Sequence, residues 1–213
     1  MKHVLCFGDS NTWGYIPGQG RRYDEHTRWT GVLAQALGPD WCVHEDGLNA
    51  RTTVHDSPFK PFLNGLAALP VALWAQKPID VLVLSLGTND LKTHTAAQAA
   101  AGVASLVTCA QTMDARYPSG QPVFTNGPKI LVISPIAVGE GLEVMNPDDE
   151  LGGKYAQSLL FPEKFAAMCA GLGVELLDAQ QYAQPSASDG VHMTPEGHRA
   201  LGLAVAGRVR DMA

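Results

Sequence analysis

No dense run of lysine and arginine stands anywhere in this sequence. Its most basic pair, Arg21-Arg22, is followed almost at once by Asp24 and Glu25, and the formal net charge is −6. That balance argues against a nucleic-acid backbone or an anionic membrane as the main partner. No apolar stretch approaches the length of a membrane span. The first apolar run starts at Val4 and meets Gly8-Asp9 too soon for the hydrophobic region of a signal peptide. A cytoplasmic protein is expected. Cysteine is scarce: Cys6, Cys42, Cys109 and Cys169 form no C-x-x-C pair, and each lies in or beside an apolar segment. Four cysteines in 213 residues make no disulfide framework, so mostly buried thiols are expected. His3, His26, His44, His55 and His94 show no ligand spacing along the chain, and neither a metal nor a cofactor is expected. The phosphate-cradling patterns G-x-G-x-x-G and G-x-x-x-x-G-K-[ST] are also missing after the first apolar run.

Hydrophobic residues make up 46% of the chain, enough for a sizeable core without staples. Apolar runs of strand type alternate with segments of helical spacing. Strands are predicted at His3–Phe7, Trp41–His44, Ile79–Leu86, Lys129–Ser134 and Val174–Leu177. The run Ile79-Asp80-Val81-Leu82-Val83-Leu84-Ser85-Leu86 is the clearest, being rich in leucine and β-branched residues as a strand covered on both faces should be. Helices are predicted at Arg28–Leu37, Gly65–Gln76 with Pro70 inside it, Thr95–Arg116, Lys154–Gly171 and Thr194–Arg210. The last opens well, with Thr194 as N-cap, Pro195 in the first turn and Glu196 against the positive end of the helix dipole. Gly14–Thr27, Leu48–Asn64 (with Pro58 and Pro61) and the acidic Gly139–Gly153 read as loops. Five strand–helix alternations predict an α/β fold: a three-layer α/β/α sandwich on a five-stranded parallel, flavodoxin-like sheet. No repeat or composition shift divides residues 1–213, so one domain is expected.

Four strand-to-loop junctions carry polar residues: Gly8-Asp9-Ser10, Asp46-Gly47-Leu48-Asn49, Gly87-Thr88-Asn89-Asp90 and the late Asp189-Gly190-Val191-His192. A parallel sheet puts all its carboxyl ends on one edge, where ligands bind. A serine, a histidine and an aspartate delivered to one crevice suit a nucleophile, a base and the group that orients the base. Asp9 and Asp90 read as residues that accept backbone N–H groups and hold their loops, with Arg51 pairing to one of them. Trp29 reads as core and His198 as helix surface.

These four blocks, in this order, resemble the SGNH (GDSL-type) hydrolases, and the resemblance covers most of the chain. The segments Phe7–Gly14, Arg28–Leu33 and Gly47–Thr53 look like the arylesterase/acyltransferase branch, which acts on short-chain esters. The resemblance implies Ser10 as nucleophile, His192 as general base and Asp189 as its orienter. It implies an oxyanion hole made of the backbone N–H groups of Ser10 and Gly47 and the side-chain amide of Asn89. Trp13, and Asn11 where the commonest motif has leucine, are implied to border the acyl pocket. A small-molecule ester is the implied partner, with acyl transfer to an alcohol beside hydrolysis, and a homo-oligomer is the implied assembly. An O-acetyl-carbohydrate esterase, or a thioesterase or lysophospholipase, would use the same machinery. A non-catalytic flavodoxin-like binding module is the alternative from a different class.

Overall fold

The computed structural model describes residues 1–56 and 60–213. Pro58, expected in a loop, lies outside them. Five strands form one sheet: β1 (Lys2–Gly8), β2 (Trp41–Gly47), β3 (Val81–Ser85), β4 (Ile130–Ser134) and β5 (Glu175–Asp178). Every pairing is parallel and the spatial order is β2-β1-β3-β4-β5. The chain starts in the middle, runs to one edge, then crosses back, so the order reverses beside β1. That reversal opens the crevice in which a doubly wound sheet holds its ligand.

Alternation along the strands sorts the core onto two faces. Leu5, Phe7, Leu82 and Leu84 pack on one side with Leu69 and Leu73 of α3 (Gly65–Gln76), Val103 and Leu106 of α4 (Ala96–Arg116) and Phe165 of α7 (Phe161–Leu172). Val4, Cys6, Val81 and Val83 pack on the other with Trp29 and Leu33 of α2 (Trp29–Leu37) and Leu201 and Val205 of α8 (Pro195–Met212). Three short helices complete the set: α1 (Ser10–Trp13), α5 (Leu142–Met145) and α6 (Tyr155–Ser158). None of the helices described is long and apolar enough to cross a membrane.

Three local expectations change. β2 runs on to Gly47 rather than stopping at His44. The single helix expected over 154–171 is two, because Pro162 has no N–H to continue the earlier turn and instead suits the start of α7. Cys6 and Cys169 are buried, whereas Cys42 and Cys109 are only half-buried.

His198 is the larger correction. It faces inward, with none of its surface exposed, and its Nδ1 accepts from the N–H of Trp29 at 3.3 Å. Helices α2 and α8 touch closely here; a Cβ on Gly202 would sit 2.6 Å from the carbonyl oxygen of Trp29. Burial pushes the His198 imidazole down to about 4, with the charges of His192 and Arg28 adding to the effect, so it is a neutral packing residue. Trp29 is fully buried, as expected.

Candidate active site

The site begins at the carboxyl end of β1. The Asp9 carboxylate accepts the N–H of Asn11 at 2.9 Å and caps α1, so the chain turns at once and Ser10 becomes the first residue of a one-turn helix. Gly14 ends that turn at φ 87°, in the left-handed region where glycine has no steric cost. Beneath, Arg51 ties β1 to β2. Its guanidinium donates to the carbonyls of Gly8 at 3.0 Å and Asp46 at 2.6 Å and to the Asp46 carboxylate at 2.8 Å. The expected pairing of Arg51 with Asp9 or Asp90 therefore does not occur. Asp90 instead accepts from the N–H and hydroxyl of Thr53.

Burial pushes the Asp9 carboxyl up to about 6, against the lowering effect of its hydrogen bond from Asn11. The folded chain then holds a proton that the unfolded chain releases, so stability falls as pH rises across that interval. Asp9→Asn keeps the capping oxygen and cannot ionise. The wild type should therefore lose stability relative to Asp9→Asn between about pH 4 and about pH 6, by at most about 3 kcal/mol. Urea melts of both proteins on either side of that interval measure it, and parallel curves would refute it.

Ser10, His192 and Asp189 come together across 182 residues of sequence. His192 Nε2 lies 2.9 Å from Ser10 Oγ, and His192 Nδ1 lies 2.8 Å from Asp189 Oδ2. Asp189 Oδ1 accepts the N–H groups of Val191 and His192, each at 3.0 Å, while Oδ2 also takes the N–H of Gly18 at 3.2 Å. Burial alone would raise this carboxyl. The hydrogen bonds from the His192 ring and from the two backbone N–H groups outweigh it, and the net shift is downward. Asp189 is thus an anion at neutral pH, and it accepts from Nδ1–H. Nε2 is left free to take a proton from Ser10.

Asn89 sits just beyond β3, buried. One of its amide N–H groups donates to the Arg51 carbonyl at 3.2 Å, which aims the side chain and leaves its second N–H without a partner among the described residues. Ser10, His192 and Asn89 line one cleft of about 190 Å3, with Tyr15, Asn49, Ala50, Thr88, Lys92, Asp149, Leu151 and Val191. Hollows of about 480 and 450 Å3 over α3 and α4 are larger, but the residues that line them include no histidine.

Three expected residues stand elsewhere. Gly47 does not line the cleft. It is paired with Gly8 in the sheet and backs onto α1, where a Cβ would meet the backbone of Thr12 and Trp13 at 2.6 Å. Ala50 lines the cleft instead, at φ 64°, the one non-glycine residue with positive φ among those described. Trp13 does not line it either. Tyr15 does, its ring stacked on His192 with centroids 4.2 Å apart, and Trp13 leans on Tyr15 from behind. Asn11 is the third. It is buried, its Oδ1 accepting from Met193 N–H at 3.0 Å and its amide donating to the Val191 carbonyl at 3.4 Å. It brackets His192 from both sides rather than facing substrate.

Tyr15 and Ala50 were not found from sequence. Their segments lack periodicity, and a tyrosine in a Gly-rich loop carries no signal by itself. Asn11→Ala should cost about 1–3 kcal/mol, because it leaves a buried N–H and a buried carbonyl unpaired. It should also lower kcat with KM nearly unchanged, as the His192 loop loosens. Steady-state kinetics and thermal melts read both effects, and a wild-type kcat would show that Asn11 does not position His192.

The GDSL-like lipase/acylhydrolase family matches residues 6–200. The chain belongs to that family. An aryl esterase of M. smegmatis is 36% identical, with a TM-score of 0.91 and both chains covered in full (100%). A carbohydrate acetylesterase of Sinorhizobium meliloti is 34% identical, again with a TM-score of 0.91 and 100% of both chains covered. No curated protein sequence matches the chain significantly. For a GDSL-like acylhydrolase the shared fold is a five-stranded parallel α/β sandwich, which agrees with the sheet described above.

Proposed function

We propose that this GDSL-family chain is a serine carboxylic-ester hydrolase that cleaves short-chain, acetyl-type esters through an acyl-enzyme on Ser10. The observation that carries this is the continuous hydrogen-bond path from Ser10 Oγ through His192 to Asp189, at 2.9 and 2.8 Å.

In this reading Ser10 Oγ attacks the ester carbonyl carbon and its proton passes to His192 Nε2. The carbonyl oxygen becomes an oxyanion, held by the backbone N–H of Ser10 and the second N–H of Asn89. Ala50 replaces Gly47 as the third donor, supported by its place in the cleft. Each such donor contributes about 3 kcal/mol in the transition state. As the carbonyl re-forms, the bond to the alcohol oxygen breaks and that oxygen takes the proton from His192. Water then attacks the acyl-Ser10, again giving its proton to His192, and Ser10 leaves with that proton as the acid is released. Tyr15, stacked on the imidazole, limits the room for its ring to swing. A cleft of about 190 Å3 is below the size that takes drug-like ligands, which supports a small acyl group.

A fluorophosphonate tests the nucleophile. One covalent adduct per chain should form, and peptide mapping should find it on Ser10. An unlabelled chain, or an adduct elsewhere, would overturn the reading.

One observation favours an acetylated sugar as substrate. The residues that line the cleft include the polar side chains of Asn49, Lys92 and Asp149. These groups suit the hydroxyls of a polyhydroxylated leaving group. A higher kcat/KM for acetylated xylose than for aryl acetates would favour the sugar, and the reverse order would favour the aryl ester. Self-association belongs to the same proposal, supported by the exposed Val71, Trp74 and Tyr117, and light scattering reads it.

A further inference from the structure

The sheet brings together three side chains that spacing along the chain does not. His3 of β1 is the direct partner of Cys42 on β2, and His44 lies two residues further along β2, on the same face. His3 Nδ1 and His44 Nε2 are 3.0 Å apart, with the two rings stacked 11° from parallel. The Cys42 thiol completes the group, and the potential ligand atoms of all three lie within 4.8 Å of one another. All three residues are partly exposed, so an ion can reach them.

We propose that His3, Cys42 and His44 form a binding site for a thiophilic divalent cation, Zn2+, with solvent in the fourth position. Two imidazoles and one thiol are the donor set that borderline-soft ions prefer, whereas Mg2+ and Ca2+ require oxygen ligands that this trio lacks. In a tetrahedral site with bonds near 2.0–2.1 Å, two nitrogen ligands stand about 3.3 Å apart, close to the spacing already present. The Cys42 side chain has to draw in, and the two rings have to turn so that both nitrogen lone pairs face the ion in place of their mutual hydrogen bond. On binding, the Cys42 sulfur gives up its proton to solvent and both histidines bind as neutral rings.

The site lies toward the amino end of the sheet, seven residues before Ser10 along the chain. At strand rise that is roughly 20 Å from the ester-cleaving cleft. It joins the edge strand β2 to its only partner in the sheet, β1. The bound ion is therefore a clip on the edge of the fold and takes no part in ester chemistry.

The full chain, stripped with a chelator, is titrated with Zn2+, and with Co2+ as a spectroscopic substitute. One ion per chain should bind with release of a proton, Tm should rise, and Co2+ should give a thiolate charge-transfer band. Cys42→Ser should abolish that band. Cys42→Ser and His44→Asn should each weaken Zn2+ binding by at least the roughly 100-fold that marks the upper end for losing an outer-shell partner. Both variants should hydrolyse p-nitrophenyl acetate at the wild-type rate without metal, which shows that they fold. Failure of the wild type to take up one Zn2+ would overturn the proposal. So would uptake that survives in both variants, which would place the ion elsewhere, such as on His192.

Discussion

Ser10→Ala is expected to lower kcat on p-nitrophenyl acetate by about 10⁴–10⁶-fold while leaving KM within a few-fold of wild type. The reason is local. Ser10 Oγ lies 2.9 Å from His192 Nε2, whereas the other nucleophilic side chains that line the cleft, Tyr15, Thr88 and Lys92, make no hydrogen bond to that nitrogen among the described residues. The backbone N–H of residue 10 and the Asn89 amide would remain, so substrate would still bind and some oxyanion stabilisation would persist. The substitution removes one buried oxygen from a residue that is 8% exposed and disturbs no cap, since Asp9 supplies the cap of α1. Thermal melts should therefore stay within about 1 kcal/mol of wild type. Retention of a substantial fraction of activity by a folded Ser10→Ala protein would end the assignment of Ser10 as nucleophile.

Asp189→Asn is expected to lower kcat by roughly 10³–10⁴-fold, and the hydrogen bonds around Asp189 say why. Its Oδ1 is held by two backbone N–H groups, those of Val191 and His192. An asparagine keeps its oxygen there, so its NH2 takes the place of Oδ2 and faces His192 Nδ1. Nδ1 must then accept, the proton moves to Nε2, and the ring can no longer take a proton from Ser10. The NH2 also meets the N–H of Gly18, donor against donor, which adds a cost in stability. Asp189→Glu, one methylene longer but still an acceptor, should recover part of the lost rate. Kinetics of the pair decide it: if Asn costs no more than Glu, the tautomer explanation fails.

Much of the fold could be read from patterns of three to eight residues. Val81–Leu84 is apolar at every position because β3 is covered on both faces, and that shows directly in composition. Thr194-Pro195-Glu196 marks the start of α8 by capping chemistry alone, and Thr194 does accept from the N–H of Gly197. Asp9 and Asp90 each take a backbone N–H, as short polar side chains beside a turn do. Where reading failed, a distant partner decided the outcome. His198 follows a polar helix start and looks exposed, yet Gly202 lets α2 close over it. Asn11 stands next to the serine and looks like a pocket residue, yet its partners are Val191 and Met193, about 180 positions later.

The sequence by itself determined the alternation of strands and helices, the three junctions at which Ser10, Asn49 and Asn89 leave the sheet, and the Asp189–His192 pair, which the structure places in the loop before α8 rather than at the end of β5. Those follow from burial periodicity and turn chemistry, which act between near neighbours. Only the tertiary structure decided that Tyr15 rather than Trp13 stacks on His192, that Ala50 rather than Gly47 faces the cleft, and that His3, Cys42 and His44 meet. Those outcomes depend on strand register and on how closely loops and helices approach. Both are set by packing between segments far apart in the chain, for which no local pattern exists.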